Sequence, residues 1–151
     1  MLIDAGAHPT IQGGYYTINN GSGIYFGASF NSTADVLGAR VRGNQFHGVQ
    51  IEGAGGCILV QGCRIGGNSV ASSGTYHGVS VAPNVNDFKI DFNRIGGDID
   101  LSGTGTQGYA ILVNTGTSDN YTILGNSCYG NATGKVADGG TGTNKAVANN
   151  I

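Results

Sequence analysis

The carboxylates of the chain are the first side chains that suggest a reaction. Glycoside hydrolysis normally uses two of them, about 5 to 9.5 Å apart across the scissile bond. Glu52 is the only glutamate, and Asp98 and Asp100 open a stretch that we expect to overhang the face bearing Glu52. Glu52, Asp98 and Asp100 are therefore the candidate catalytic residues. The alternative is that all three are solvated surface carboxylates.

A second group of side chains is suited to binding sugars. Aromatic faces stack on the apolar faces of sugar rings, and imidazoles hydrogen-bond hydroxyl groups. Five ring-bearing residues stand just before equivalent apolar strips of the sequence: Phe46, His47, Tyr76, His77 and Tyr109. We expect them to form a sugar-binding edge. The alternative is a ladder of like residues that simply pack on one another.

Three arginines, Arg40, Arg64 and Arg94, occupy one equivalent position in successive segments. Like charges opposite one another on neighbouring strands are destabilising by roughly a few tenths of a kcal/mol or more, so a column of three requires a compensating anion. An acidic polysaccharide is one candidate. The other candidates are a neighbouring subunit and three aspartates of the chain, Asp35, Asp91 and Asp98. Alternatively, the guanidinium groups splay into water.

An internal repeat gives these side chains a common geometry. The segment from His47 to Asn68 is read again thirty positions later, from His77 to Asp98. A fixed period of roughly 20 to 50 residues is typical of solenoids and related arrays. Within each repeat apolar and polar residues alternate, which indicates short half-buried strands. Three such strands per repeat, without a helical segment, predict an all-β right-handed parallel β-helix of about five coils.

The repeat also predicts which residues stack. Strands of successive coils pair at about 4.8 Å, so equivalent positions form columns along the axis. Four apolar columns should fill the core: Ile24/Val49/Val79/Ile111, Phe26/Ile51/Val81/Val113, Val36/Val60/Ile90/Ile123 and Val41/Ile65/Ile95/Cys128. Tyr25 and Gln50 should face outward on the first strands of their coils, and they join the candidate sugar-binding residues.

Composition argues against several classes of protein. Charged residues make up 11% of the chain and the net charge is −2 without a basic run, which is unfavourable for a nucleic-acid partner. No apolar stretch approaches the roughly 18 residues of a membrane span, and no signal peptide is apparent. The spacing of the three cysteines favours core-filling thiols over a disulfide or a metal site. We expect no metal and no cofactor.

The strip from Phe88 to Ile95, preceded by Gly-Val-x-Val and with Asn93 at its turn, resembles the pectate-lyase-like parallel β-helix superfamily. The segment from Val136 to Lys145 is similar to the end of β-helix domains in bacteriophage tailspikes. The resemblance covers about residues 23 to 151. It implies polysaccharide recognition, often with hydrolase or lyase action, and for phage members a homotrimer on the virion. The pectin-hydrolase and calcium-lyase motifs of the superfamily are absent.

These observations predict a single β-helix domain over residues 1–151, with an irregular first coil over 1–22 and regular coils over 23–151. Neither end resembles a cap, so we expect a C-terminal fragment of a longer protein. The leading hypothesis is a phage tailspike or fibre domain, located in the virion, that binds bacterial surface polysaccharide. One alternative is an endoglycosidase or lyase acting on capsule or O-antigen, and another is a structural spacer. A secreted or cell-surface location is the alternative to the virion.

Overall fold

A computed structural model describes residues 1–4, 6, 8–53, 55–97 and 105–151. These ranges contain seventeen strands and no helix, and hence no helix able to span a membrane. The strands in chain order are β1 (Leu2–Ile3), β2 (Thr10–Gln12), β3 (Tyr15–Thr17), β4 (Ile24–Phe26), β5 (Ala34–Leu37), β6 (Arg40–Arg42), β7 (Val49–Ile51), β8 (Ile58–Gln61), β9 (Arg64–Gly66), β10 (Val79–Val81), β11 (Phe88–Asp91), β12 (Arg94–Gly96), β13 (Tyr109–Gly116), β14 (Tyr121–Leu124), β15 (Ser127–Tyr129), β16 (Gly134–Gly140) and β17 (Lys145–Ala148).

The strands form three parallel sheets, and each coil contributes one strand to each sheet. The first sheet has the order β1-β4-β7-β10-β13-β16, the second β2-β5-β8-β11-β14-β17, and the third β3-β6-β9-β12-β15. Connections between parallel strands of one sheet are almost always right-handed. The predicted parallel β-helix is therefore confirmed, with five complete coils and a sixth that contributes only to the first two sheets. Residues 1–22, expected to be irregular, supply β1, β2 and β3.

The pairing register is the one that the repeat predicts. Val79 pairs with Val49 below and Ile111 above, and Ile90 pairs with Val60 and Ile123. No side chain in the four predicted apolar columns is more than 3% exposed. Full burial of one such aliphatic side chain stabilises the fold by about 1.5 to 3 kcal/mol. The stacked columns are therefore the main source of stability.

The cysteines divide between core and surface. Cys63 and Cys128 are buried, as expected, whereas Cys57 is exposed, and all three are free. Burial raises the pKa of the Cys128 thiol to about 11. Cys57 lies in the connection just before β8 rather than in a strand, which explains why it does not fill the core.

Asparagine ladders join successive coils at two corners. Asn126 accepts a hydrogen bond from the backbone N–H of Asn93 at 2.9 Å and donates to the carbonyl of Ile90 at 2.7 Å. At the other end of the third sheet, the backbone N–H of Asn44 donates to Asn68 Oδ1 at 3.2 Å. All four asparagines are buried. Because an amide both donates and accepts, each ladder satisfies backbone groups that the sheets leave unpaired at the corner.

The corner between the second and third sheets needs a left-handed backbone. Five coils have φ between +56° and +64° at this position, at Gly13, Gly38, Gly62, Gly125 and Asn149. The remaining coil has Phe92 there, with φ of +56° and a side chain that is 64% exposed. Glycine adopts this conformation freely, whereas a bulky residue is destabilised by about 1 kcal/mol or more. Phe92 is therefore strained without the compensation of burial.

The last described coil ends one apolar column with a charge. Asp138 pairs with Val113 and so continues the column of Val113 upward. Its carboxylate accepts a hydrogen bond from Tyr121 and forms an ion pair with Lys145 at 2.9 Å. Burial alone would raise the pKa of Asp138, but the hydrogen bonds from Tyr121 and Lys145 lower it below its ordinary value. The column therefore continues into this coil as a paired charge.

The register makes a stability prediction at Ile90. Ile90→Asp should destabilise the chain by several kcal/mol, on the order of 3 to 5, because it places an unpaired carboxylate in a fully buried column. Thermal and urea melts followed by circular dichroism measure the effect. The control is Lys135→Asp, which introduces the same side chain at an exposed position of β16. Equal melting temperatures for both variants would contradict the register.

Candidate functional site

A hydrogen-bonded network of polar side chains lies on the outer face of the first sheet. Tyr25 and Gln50 pair across β4 and β7, and Glu52 directly follows β7. Tyr25 Oη donates to Glu52 Oε2 at 2.5 Å, and Gln50 Nε2 donates to Glu52 Oε1 at 2.7 Å. Ser22 Oγ in turn donates to Gln50 Oε1 at 2.6 Å. Both oxygens of Glu52 are thus oriented by donors of the chain itself.

A second carboxylate belongs to the same region. Asp4 follows β1, and its Oδ1 lies 3.6 Å from where a Cβ at Gly27 would stand. The hydrogen bond to Glu52 is the main cause that raises the pKa of Tyr25, with further contributions from burial and from the charges of Glu52 and Asp4. The phenol therefore stays protonated between two carboxyl-bearing positions. These positions are two rungs apart, roughly 10 Å between Cα atoms.

A ring ladder runs along the corner that leads into the same sheet. The ring centroids of His47 and His77 are 5.4 Å apart, and Tyr109 follows at 5.7 Å from His77. The backbone N–H of His77 donates to Nδ1 of His47 at 3.0 Å, and that of Tyr109 donates to Nδ1 of His77 at 3.1 Å. Each neutral imidazole therefore carries its proton on Nε2, where it is an N–H donor.

Phe46 and Tyr76 flank the histidines, as the sequence predicts. Their ring centroids are 4.8 Å apart, and Tyr76 meets His47 edge to face at 5.2 Å. Phe46 is 38% exposed and Tyr76 is half-buried. The rings do pack on one another, and in addition Phe46 keeps apolar ring surface open beside the polar network.

The ladder and the network share one electrostatic environment. Burial is the main cause that lowers the pKa of His47 to about 4; the charge of His77 lowers it as well, and that of Glu52 acts in the opposite direction. Burial also lowers the pKa of His77. Both imidazoles are therefore neutral at pH 7. The face has neutral donors at the histidines and a carboxylate at Glu52.

The arginines form one column, as predicted, but they belong to the third sheet. Arg64 pairs with Arg40 below and Arg94 above. Arg40 lies over the ring of Tyr15 at 5.3 Å, and Arg94 lies over that of Tyr129 at 4.9 Å. Arg94 Nε also donates to Tyr129 Oη at 2.8 Å. The structure therefore places the predicted sugar-binding residues on two separate surfaces.

Two of the three aspartates proposed as counter-charges are not beside the arginines, and the third, Asp98, lies outside the described residues. Asp35 and Asp91 lie in β5 and β11 of the second sheet. Asp91 is 8% exposed, and its carboxylate accepts hydrogen bonds from Thr122 Oγ1 and from the backbone N–H of Leu124. Tyrosine rings, rather than these carboxylates, cover two of the three guanidinium groups.

Two of the three predicted catalytic residues cannot be placed. Asp98 and Asp100 lie outside the described residues, and a pair that joins either of them to Glu52 stays a prediction. Among the described residues, no group of three or more His, Cys, Asp or Glu side chains is arranged to hold a metal ion.

Ser22 and Asp4 are not among the residues that the sequence predicts for this face. Ser22 stands two positions before Ile24, as His47 stands two positions before Val49. Because Ile24 pairs with Val49, the repeat could have identified Ser22 as equivalent to His47. Asp4 follows a strand of only two residues, and that strand has too little pattern to be aligned from sequence.

The neutral state of His47 predicts a pH dependence of stability. An unfolded histidine titrates near 6.5, and folded His47 titrates at about 4. The unfolded chain thus takes up the proton first, so the contribution of His47 is complete above pH 6.5 and is lost between pH 6.5 and 4. The loss should be on the order of 2 kcal/mol, seen as a lower melting temperature at pH 4.5 than at pH 7.5.

His47→Gln should reduce this pH dependence, because glutamine does not titrate. The control is His8→Gln, at an exposed histidine outside the ladder, which should keep the wild-type profile. A His47→Gln variant with the wild-type profile would contradict the assignment of Nδ1 as an acceptor.

Comparisons with known proteins identify the fold and no family. No family model matches the chain, and no curated protein matches it. Among solved structures, the A-module of the mannuronan C-5 epimerase AlgE6 from Azotobacter vinelandii is similar, with a TM-score of 0.75 at 20% sequence identity. The alignment covers 99% of this chain and 41% of that chain. The chain therefore spans about two fifths of the length of its structural neighbour and shares its fold.

Proposed function

We propose that the chain is a polysaccharide-binding β-helix domain whose ligand lies along the outer face of the first sheet. The observation that carries this proposal is the network from Ser22 through Gln50 and Glu52 to Tyr25, beside the ring ladder. Sugar hydroxyl groups both donate and accept hydrogen bonds. The network offers oriented partners for them, and Phe46 offers ring surface. Such preorganisation limits the entropy lost on binding.

The shape of the face favours an extended ligand. Tyr25 and Gln50 occupy one outward column in successive coils, and Ser80, the next residue of that column, is only 7% exposed. Successive coils are about 4.8 Å apart, so a linear polymer that runs parallel to the axis meets Tyr25 and Gln50 at successive rungs. The similar structure is, by its name, an enzyme that acts on mannuronan, and this supports a polysaccharide as the class of ligand.

The finer part of the proposal is a phage tailspike or fibre, trimeric in the virion, that binds a bacterial surface glycan. The likeness of residues 136–145 to tailspike β-helix ends supports it. Partly buried leucines on the outer faces of the strands would suit contacts between subunits. They are Leu37, Leu59, Leu112 and Leu124.

Cleavage of the bound polysaccharide is a second candidate function of the same face. It is favoured by the position of Tyr25, because the charges of both Glu52 and Asp4 contribute to raising the pKa of its phenol. Inverting glycosidases hold their carboxyl groups about 6.5 to 9.5 Å apart, which leaves room for a water molecule. Glu52, oriented by two donors, suits the base that activates this water. The second carboxyl group of such a pair would be that of Asp4.

Gln50→Leu tests the binding face. The change removes both hydrogen bonds of the Gln50 side chain and should weaken the binding of a recognised polysaccharide about tenfold, or ~1.4 kcal/mol. Isothermal titration against mannuronan and against purified capsule and O-antigen polysaccharides measures it. Gln12→Leu, the same change at an exposed position of β2, should leave the affinity unchanged. Equal affinity of both variants, or a wild-type chain that binds none of the polymers, would reject the proposal.

Glu52→Gln tests the catalytic candidate. If Glu52 activates water, this variant should release fewer than one hundredth of the reducing ends that the wild type releases, with binding changed by only a few fold. Asp35→Asn, in the second sheet, should keep the wild-type rate. A wild-type chain that binds the polysaccharide and releases no reducing ends would reject hydrolysis and leave the binding function.

A further inference from the structure

Phe92 is an exposed aromatic residue at a corner position that four of the other coils fill with glycine and one with asparagine. Its φ of +56° is unfavourable for a bulky side chain, and 64% of the residue is in contact with solvent. Packing in the core therefore does not explain why the chain has an aromatic ring here. Strained residues of this kind are concentrated at binding sites, where the ligand makes use of the strained group.

One side of the ring of Phe92 lies against the coil above. A Cβ added at Gly125 would meet two ring carbons of Phe92 at 2.8 Å, so Phe92 lies against the backbone of Gly125. Since the residue is nevertheless mostly exposed, the ring rests on glycine at one side and is open to solvent at the other. This arrangement forms an apolar platform of the size of a sugar ring.

Two arginines stand near the platform in sequence and register. Arg94 follows Phe92 by two residues, and Arg64 pairs with Arg94 from the coil below. Both are exposed. Tyr129 accepts a hydrogen bond from Arg94 Nε, which orients the guanidinium group and leaves its two terminal nitrogens as donors. In the part of the chain that the structure describes, no carboxylate forms an ion pair with either arginine.

The corner below Phe92 is open. No atom lies within 4 Å of a Cβ position at Gly38, and only one backbone atom, at 4.0 Å, lies near that of Gly62. Both glycines are exposed. A polymer that follows the axis would therefore meet the ring of Phe92 and, alongside it, the guanidinium group of Arg64, without an intervening side chain at the corner.

We propose that this corner is a second glycan-binding site that takes an acidic sugar, separate from the face of the first sheet. The apolar face of a uronate ring stacks on Phe92, and its carboxylate pairs with the guanidinium groups of Arg64 and Arg94. Arginine binds carboxylates through two parallel hydrogen bonds. The bound anion also relieves the repulsion between like charges in the column. The ligand thus explains both the strain at Phe92 and the lack of an ion pair at Arg64 and Arg94 within the described residues.

Phe92→Gly tests the proposal, because it restores the residue found in the other coils. The variant should melt at a higher temperature than the wild type and bind a polyuronate, mannuronan or polygalacturonate, about tenfold more weakly. Arg64→Gln should weaken the same binding and reduce its dependence on salt. Neutral dextran should be bound equally by all three proteins.

Ile18→Gly is the matched control. Ile18 has the same φ of +56° and is 75% exposed, but it stands at the far end of the third sheet, away from Arg64. Its replacement should raise the melting temperature and leave polyuronate binding unchanged. Repeating the titrations in a Gln50→Leu background separates this site from the face of the first sheet. In that background, Phe92→Gly should still weaken polyuronate binding.

Three results would overturn the proposal. The first is wild-type affinity of Phe92→Gly for both polyuronates, and the second is a wild-type chain that binds neither. The third is a Phe92→Gly variant that is less stable than the wild type, because the ring would then be a structural element of the corner.

Discussion

Every feature of this chain depends on the in-register parallel pairing of each strand with its counterpart one coil away. The backbone hydrogen bonds fix neighbouring coils at about 4.8 Å, so a residue has the equivalent residues of the next coils as its nearest neighbours. A sequence repeat is thereby converted into columns in space. Val49, Val79 and Ile111 become one strip of core, and Arg40, Arg64 and Arg94 become one strip of charge.

This constraint explains how much of the structure can be predicted from sequence. The alternation of polar and apolar residues defines the strands, and the period defines their partners, so the core columns, the arginine column and the histidine ladder all follow. The prediction is weaker where the coils differ in length. At the corners a side chain meets groups that its own repeat does not contain, as when Tyr25 meets Asp4 from the first coil. The strain at Phe92 also depends on a φ angle that no local pattern reveals.

The two proposed surfaces differ in their electrostatics. On the first sheet, burial keeps His47 and His77 neutral, and the charge belongs to Glu52 and Asp4. On the third sheet, the rings of Tyr15 and Tyr129 lie against the guanidinium groups of Arg40 and Arg94. Sugars rich in hydroxyl groups suit the first surface, and carboxylated sugars suit the second. A heteropolymer with both kinds of unit could therefore bind at both surfaces of one β-helix.

The histidine ladder links ligand binding at its Nε2 atoms to the hydrogen bonds that join neighbouring windings. In it, the Nδ1 atoms of His47 and His77 replace the carbonyl oxygens that accept hydrogen bonds elsewhere, since each accepts a hydrogen bond from a backbone N–H of the winding above. The opposite nitrogen of the same ring, Nε2, carries the N–H that remains as a donor. Polarisation passes through a conjugated ring, so an acceptor that engages this outer N–H makes the inner nitrogen a stronger acceptor. Occupancy at the surface would therefore tighten the seam between adjacent turns of the solenoid.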